Sequence, residues 1–330
     1  MATTIASRKP YNFTHTTTDL NINIEAYLGD TYGEVTNYNI LKTSYDPLVA
    51  EPLTVNLSPF MVDKFNHVPS QTPTMIDEVV SSAVQMSITG NIVTPQYYVG
   101  YDGWERYLPS TLAVSTSLTT RNIVLNSPQY ITANLSAIEN IYWIADTGDT
   151  HEETNQNLGV DTSSIFPVFT SGLTVTDSTK VITIQGRGVG NTVLWTLKFN
   201  IVCPYNEVYT IGFINRYGVW EYIDMIGNIR KGITTSKETY VRYDEGLNQN
   251  FNINGYRNFT VNTGWVDEAF EYVVNDLMLS EYIILYTGNP NTSIKLTLED
   301  NNKQLQSSRV DKMINYSFKF KEAGPIIAIV

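Results

Sequence analysis

The tripeptide Asp146-Thr147-Gly148 follows the apolar run Ile141-Tyr142-Trp143-Ile144-Ala145. An apolar strand delivering Asp-Thr-Gly is one way to present a carboxylate for acid proteolysis. That chemistry needs two carboxylates sharing one proton. The sequence holds no second Asp-Thr-Gly and no Asp-Ser-Gly, and Asp149, Glu152 and Glu153 would crowd the site with like charge. The tripeptide reads as a turn. His15, His67 and His151 are far apart and none has a cysteine or histidine at metal-ligand spacing. Gly186-Arg-Gly-Val-Gly-Asn191 resembles a phosphate-binding loop in composition only, because strand signals flank it and no Gly-Lys-Ser/Thr follows. The acidic residues between Asp146 and Asp161 could offer oxygens to Ca²⁺ but lack the spacing of a calcium loop. These residues therefore yield no catalytic, cofactor-binding or metal-ligating set, and the expectation is a protein without cofactors that is not an enzyme.

The remaining chemistry is that of contact. Aromatic side chains cluster at Tyr97, Tyr98, Tyr101, Trp104 and Tyr107, and again at Phe213, Tyr217, Trp220 and Tyr222. Such rings fill cores when they alternate along strands and fill interfaces when turns present them. Trp104 and Tyr217 have turn-like surroundings. With Tyr107, Arg216, Trp220 and the terminal Ile327 and Ile329, they form the candidate interface set.

Composition supports a protein that works through its surfaces. Of 330 residues, 42% are apolar, enough for ordinary cores, but only 16% are charged, against roughly 25% in typical globular domains. Thr, Asn, Ser and 22 tyrosines fill the gap, a mixture suited to pleated surfaces and their turns. The net charge of −12 repels phosphates, so nucleic acid binding is not expected. Cys203 is the single cysteine, so no disulfide can form within the chain. No apolar stretch is long enough to span a membrane as a helix. Met1 to Pro10 has no apolar h-region, and the expectation is synthesis in a host cytoplasm without a signal peptide.

Short strand signals separated by turn clusters predict a mainly β chain of two or more β-sandwich domains. Residues 1–18 read as an extended N-terminal arm. Residues 19–203 read as a β-sandwich region that could divide into two subdomains, with a long acidic surface loop near 146–163. Alternation at Ile22/Ile24/Ala26 and Val55/Leu57 marks strands, and Val181–Gln185 and Val193–Phe199 mark a hairpin. The composition shift at Cys203-Pro204 opens a C-terminal β domain, 204–330. It begins with strands at Tyr209–Ile214 and Val219–Ile223. Val266, Phe270, Val273, Val274, Leu277 and Met278 recur at helical spacing and predict a helix over 265–279, with Thr263 as N-cap. Strands follow near 282–286, 294–298 and 314–320.

The segment Cys203-Pro-Tyr-Asn-Glu-Val-Tyr-Thr-Ile-Gly-Phe-Ile-Asn-Arg-Tyr-Gly-Val-Trp-Glu-Tyr-Ile-Asp224 resembles a pattern in structural proteins of tailed phages of Bacteroidetes, crAss-like phages included. There a strand ends in Leu/Ile-Asn-x-x-Gly and an aromatic-rich strand follows. Leu53-Thr-Val-Asn-Leu-Ser-Pro-Phe-Met61 resembles a segment closing the N-terminal strands of those proteins, with Asn56 where they carry Asp. Gly264 to Leu285 resembles their helix-then-strand element. The resemblance implies a tail, neck or hub component of the virion that forms a cyclic homo-oligomer and docks other virion proteins. It implies no catalytic residues. The alternative is a receptor- or carbohydrate-binding fibre or surface protein.

Overall fold

The computed structural model describes residues 3–6, 11–16, 19–28, 36–43, 52–62, 84–90, 96–101, 116, 118–134, 138–154, 163–204, 207–241, 248–287, 292–307 and 313–324. The chain is mainly β, with several sheets and one notable helix, in the C-terminal region.

The first unit contains β1 (Thr3–Ala6), β2 (Asn12–Thr16), β3 (Asp19–Leu28), β4 (Thr36–Thr43), β5 (Pro52–Asn56), the short α1 (Ser58–Val62), β6 (Val84–Gly90) and β7 (Gln96–Tyr101). Five strands make a sheet in the order β1-β7-β6-β3-β4, and β2 pairs with β5. Alternate residues Ile22, Ile24 and Ala26 of β3 meet Met86 and Ile88 of β6, and Phe13, Val55, Leu57 and Met61 close the core. Asn56 Oδ1 accepts the N–H groups of Tyr11 and Ser58, both at 3.2 Å. It thus fills the acceptor role that a carboxylate could fill there. The described parts of the expected extended arm, 3–6 and 11–16, include two strands. β1 runs parallel to β7 and β2 runs antiparallel to β5 within the same chain, because Thr-rich segments with little to bury still satisfy a backbone ladder.

The middle unit contains β8 (Thr120–Val124), β9 (Tyr130–Asn134), β10 (Asn140–Ala145), β11 (Thr150–Thr154), β12 (Ser163–Pro167), β13 (Val181–Gly188) and β14 (Thr192–Val202). The five-stranded sheet β11-β10-β13-β14-β8 faces the pair β12-β9. Ile141, Trp143 and Ala145 alternate inward along β10, as do Ile182 and Ile184 along β13. Trp143 is fully buried, and its indole N–H donates to Pro167 O at 3.1 Å, tying one sheet to the other. Two expectations are corrected here. The acidic stretch is not one long loop, since β11 occupies Thr150–Thr154 and pairs with β10 around a tight turn. The hairpin strands also run further than the apolar pattern, through Gly186 to Gly188, with a bulge at Gly186/Arg187. A Cβ at Gly186 would lie 2.3 Å from the Trp195 indole, so the ring of the opposite strand covers the glycine. Only Val189–Asn191 turns, with Gly190 at φ 70°.

The C-terminal unit contains β15 (Tyr209–Ile214), β16 (Trp220–Met225), β17 (Arg230–Val241), β18 (Asn248–Asn262), α2 (Glu271–Leu279), β19 (Ile283–Tyr286), β20 (Ile294–Leu298) and β21 (Ser317–Glu322). They form a seven-stranded sheet, apart from α2, in the order β16-β15-β19-β20-β21-β18-β17. Val273, Val274 and Leu277 of α2 pack on one face of it, with Ile211, Phe213, Phe318 and Phe320. The helix is shorter than its periodicity suggests. Val266 makes a bridge with Ile314, and a 3₁₀ turn at Glu268–Phe270 leads into α2. The Thr263 hydroxyl accepts the Tyr316 N–H at 3.0 Å and does not cap the helix. A β bridge thus claims the first apparent turn. Replacing the fully buried Phe213 with Ala is expected to cost about 3–5 kcal/mol. Urea unfolding followed by tyrosine and tryptophan fluorescence measures it.

Candidate functional site

Asp146 and Asp149 occupy the β10–β11 turn, and both carboxylates are engaged with backbone. The two Asp146 oxygens each lie 3.1 Å from the Lys180 N–H, and Asp149 Oδ2 accepts the Thr174 N–H at 2.6 Å. The Thr174 hydrogen bond holds the Asp149 carboxyl below the usual carboxylate value. These groups pin the segment 174–180 to the hairpin tip. Among the described residues no three His, Cys, Asp or Glu side chains group as metal ligands.

Of the sequence-derived interface set, Trp104, Tyr107, Ile327 and Ile329 lie outside the described residues. The structure places the other three together at the β15–β16 connection and the strand after it. Arg216 Nε reaches Asp276 of α2 at 3.0 Å, and its guanidinium lies 5.3 Å from the Tyr272 ring centre. Asp276 is buried, so Arg216 fastens the turn to the helix. Tyr217 is half-buried and donates its N–H to Asn215 Oδ1 at 3.0 Å. Trp220 is 5% exposed and stacks on Tyr222.

The face of the C-terminal sheet opposite α2 meets the middle unit in an aromatic and charged seam. Tyr130 of β9 packs against Tyr222 and Tyr286, with ring centres 5.4 and 6.1 Å away. Arg121 of β8 donates to Glu221 Oε1 and to the Thr116 hydroxyl, and its Nη1 donates to Tyr222 O at 3.2 Å. Glu221 Oε2 accepts from Asn215 at 2.8 Å. Asp224 accepts from Gln129 Nε2 and from the Val124 N–H, each at 2.8 Å, and from the Thr210 hydroxyl at 2.7 Å. All four oxygens of these two buried carboxylates are satisfied, as burial of charge requires. A cleft of about 240 Å³ borders the seam, lined by Leu118, Gln129, Val266 and Phe270 among others.

The other end of the sheet is different. β18 pairs with β21 only over Asn258–Asn262, while β17 and β18 pair from Arg230/Thr260 out to Val241/Asn248. Beyond Gly232 the two strands therefore form a ribbon with no third strand among the described residues, on the order of 30 Å long at 3.3 Å per residue. Every residue from Ile233 to Val241 is exposed, including Ile233 at 67%, Tyr240 at 45% and Val241 at 63%. The root is fixed: Lys231 meets Glu207 at 2.7 Å, and the Lys321 ammonium sits 3.5 Å from the Tyr256 ring centre. The outer side of β17 has no strand neighbour among the described residues. Sequence reading missed this ribbon, because its strands are polar on both faces. The usable signal was the β-branched and Thr-rich run Ile233-Thr-Thr-Ser-Lys-Glu-Thr-Tyr-Val241 before Asp244-Glu-Gly246.

No protein family's pattern matches this chain, and no curated protein is similar to it. Geometry and chemistry therefore carry the functional reading.

Two outcomes test the seam. Arg121→Met leaves Glu221 buried without its cation and is expected to cost about 3–5 kcal/mol, whereas Arg121→Met combined with Glu221→Met recovers most of the loss. A double-mutant cycle by urea unfolding checks this. Tyr286 has its phenol pushed well above the ordinary 10.0, first by burial and then by its hydrogen bond with Tyr130. The unfolded chain ionises first, so this contribution is whole below pH 10 and is lost as pH rises from there toward the folded value. Unfolding midpoints between pH 9 and 11 are expected to fall more steeply in the native sequence than in Tyr286→Phe.

Proposed function

We propose that this chain is a structural subunit of a phage virion, a tail, neck or hub component that forms a cyclic homo-oligomer and docks other virion proteins. One observation carries the reading: the β17–β18 ribbon stands out from the sheet with exposed Ile233, Tyr240 and Val241 and an open backbone edge. An isolated two-stranded ribbon is marginal in water. A long open edge is a hazard that proteins normally shorten, bulge or cover. This ribbon carries one bulge, at Ser236/Glu238, and otherwise stays regular, as expected of a strand pair that becomes covered on assembly. The two structured units behind it, joined through buried charge, supply the rigid body that such an arm needs. The resemblance to structural proteins of Bacteroidetes phages supplies the kind of particle.

The test is removal of the ribbon beyond its root, with residues 233–257 replaced by a two-residue Asn-Gly turn that keeps the β18–β21 pairing. The full chain is expected to form a ring of uniform stoichiometry by light scattering and electron microscopy, and the shortened chain is expected to be a folded monomer. A full chain that stays monomeric at high concentration and is missing from purified particles would refute the reading.

A further inference from the structure

We infer that the open edge of β17 pairs with the open edge of β11 in a second copy of this chain, basic edge against acidic edge. The inference rests on the assembly reading above and names the two surfaces that meet. The edge strand β17 carries Arg230, Lys231 and Lys237 against Glu238 alone, whereas beyond the root Lys237, Arg242 and Arg257 are balanced by Glu238, Asp244 and Glu245. β17 is thus a basic edge on a chain whose net charge is −12. A basic edge strand on an acidic body is complementary to another copy of that body.

The partner edge follows by elimination among the described strands. β16, the opposite edge of the seven-stranded sheet, is buried along its whole length at the seam. β8, at one side of the middle sheet, lies against that seam through Arg121 and the Val124 N–H. β1 has no charged residue, and β4 has only Lys42. The strands of the two-stranded sheets, β2, β5, β9 and β12, have no acidic residue. β11 remains: it is the outer strand of the middle sheet and carries Glu152 and Glu153 in five residues. The β10–β11 hairpin from Glu139 to Thr154 holds five carboxylates and no lysine or arginine. Glu153 Oε1 meets His151 Nε2 at 3.0 Å, while its buried Oε2 has no hydrogen-bond partner. Glu152 of the same strand is exposed, and its carboxylate can meet a cation arriving with an added strand. Strand addition supplies main-chain hydrogen bonds, and the charges set partner and register. The contact joins two different patches, so it is head-to-tail, the kind that closes into a ring or continues as a filament.

A charge swap tests this. One variant carries Arg230→Glu and Lys237→Glu, the other Glu152→Lys and Glu153→Lys, each checked by far-UV circular dichroism for an unchanged fold. Each alone is expected to associate at least about tenfold more weakly than the native chain by light scattering and analytical centrifugation, because like charges then face each other. Mixing the two is expected to restore assembly, with both proteins present in equal amounts. Assembly of either variant at native strength would overturn the pairing while leaving the subunit reading standing. Weakened variants that do not recover on mixing would also overturn it. A native chain that never self-associates defeats the pairing, and its presence in or absence from purified particles then decides the subunit reading separately.

Discussion

The ion pair between Arg121 and Glu221, with its companion cluster on Asp224, decides the shape of the C-terminal half. A seven-stranded sheet has two edges, and each offers unpaired N–H and C=O groups. Through Arg121, the middle unit donates to the carbonyl of Tyr222 and to the carboxylate of Glu221. Asp224 in turn accepts the Val124 N–H. That edge is thereby covered, with the Tyr222 carbonyl and the Glu221 and Asp224 carboxylates hydrogen-bonded. Buried ion pairs add little net stability by comparison with apolar packing, and their value lies in fixing one geometry. Among the described residues, that geometry leaves the sheet open at the ribbon.

Several charged and amide groups hold the fold together. The carboxylates of Asp146 and Asp149 hold a loop, Asn56 joins β2 to the start of α1, and Arg216 and Asp276 lock a turn to the helix. Each of these pairs a charged or amide group with backbone or an opposite charge at hydrogen-bonding distance, which suits anchoring more than reaction. The aromatic seam follows the same logic. Tyr130, Tyr222 and Tyr286 form a tilted cluster in which burial keeps the Tyr286 phenol neutral.

The apolar strands were legible from sequence because alternation reports one buried face. Ile22/Ile24/Ala26, Ile141/Trp143/Ala145 and Tyr209–Ile214 all became strands where the pattern placed them. The hairpin strands on either side of Val189–Asn191 were also visible, though Gly186 and Gly188 proved to be ladder residues and not turn residues. Polar strands were not legible. β11, with Thr150 to Thr154, looked like loop because its half-buried face carries His151 and Glu153 and no apolar residue. β17 and β18 escaped because the ribbon is polar on both faces. The helix start was misplaced because Val266 fits a helical stripe and a β bridge equally well in one dimension. For the candidate site, sequence singled out Arg216, Tyr217 and Trp220, which cluster near α2 and the seam. The ribbon that carries the functional reading left only a propensity signal.

Assembly through the ribbon edge has a direct signature in backbone amide exchange. An outward-facing N–H on an open strand exchanges quickly, and pairing with another strand slows it. Hydrogen–deuterium exchange over residues 233–241, compared between dilute and assembled protein, reads this without any substitution. Marked slowing confined to this strand and to β11 on assembly is the predicted result. Equal, fast exchange in both states, with protection gained elsewhere, would contradict the account.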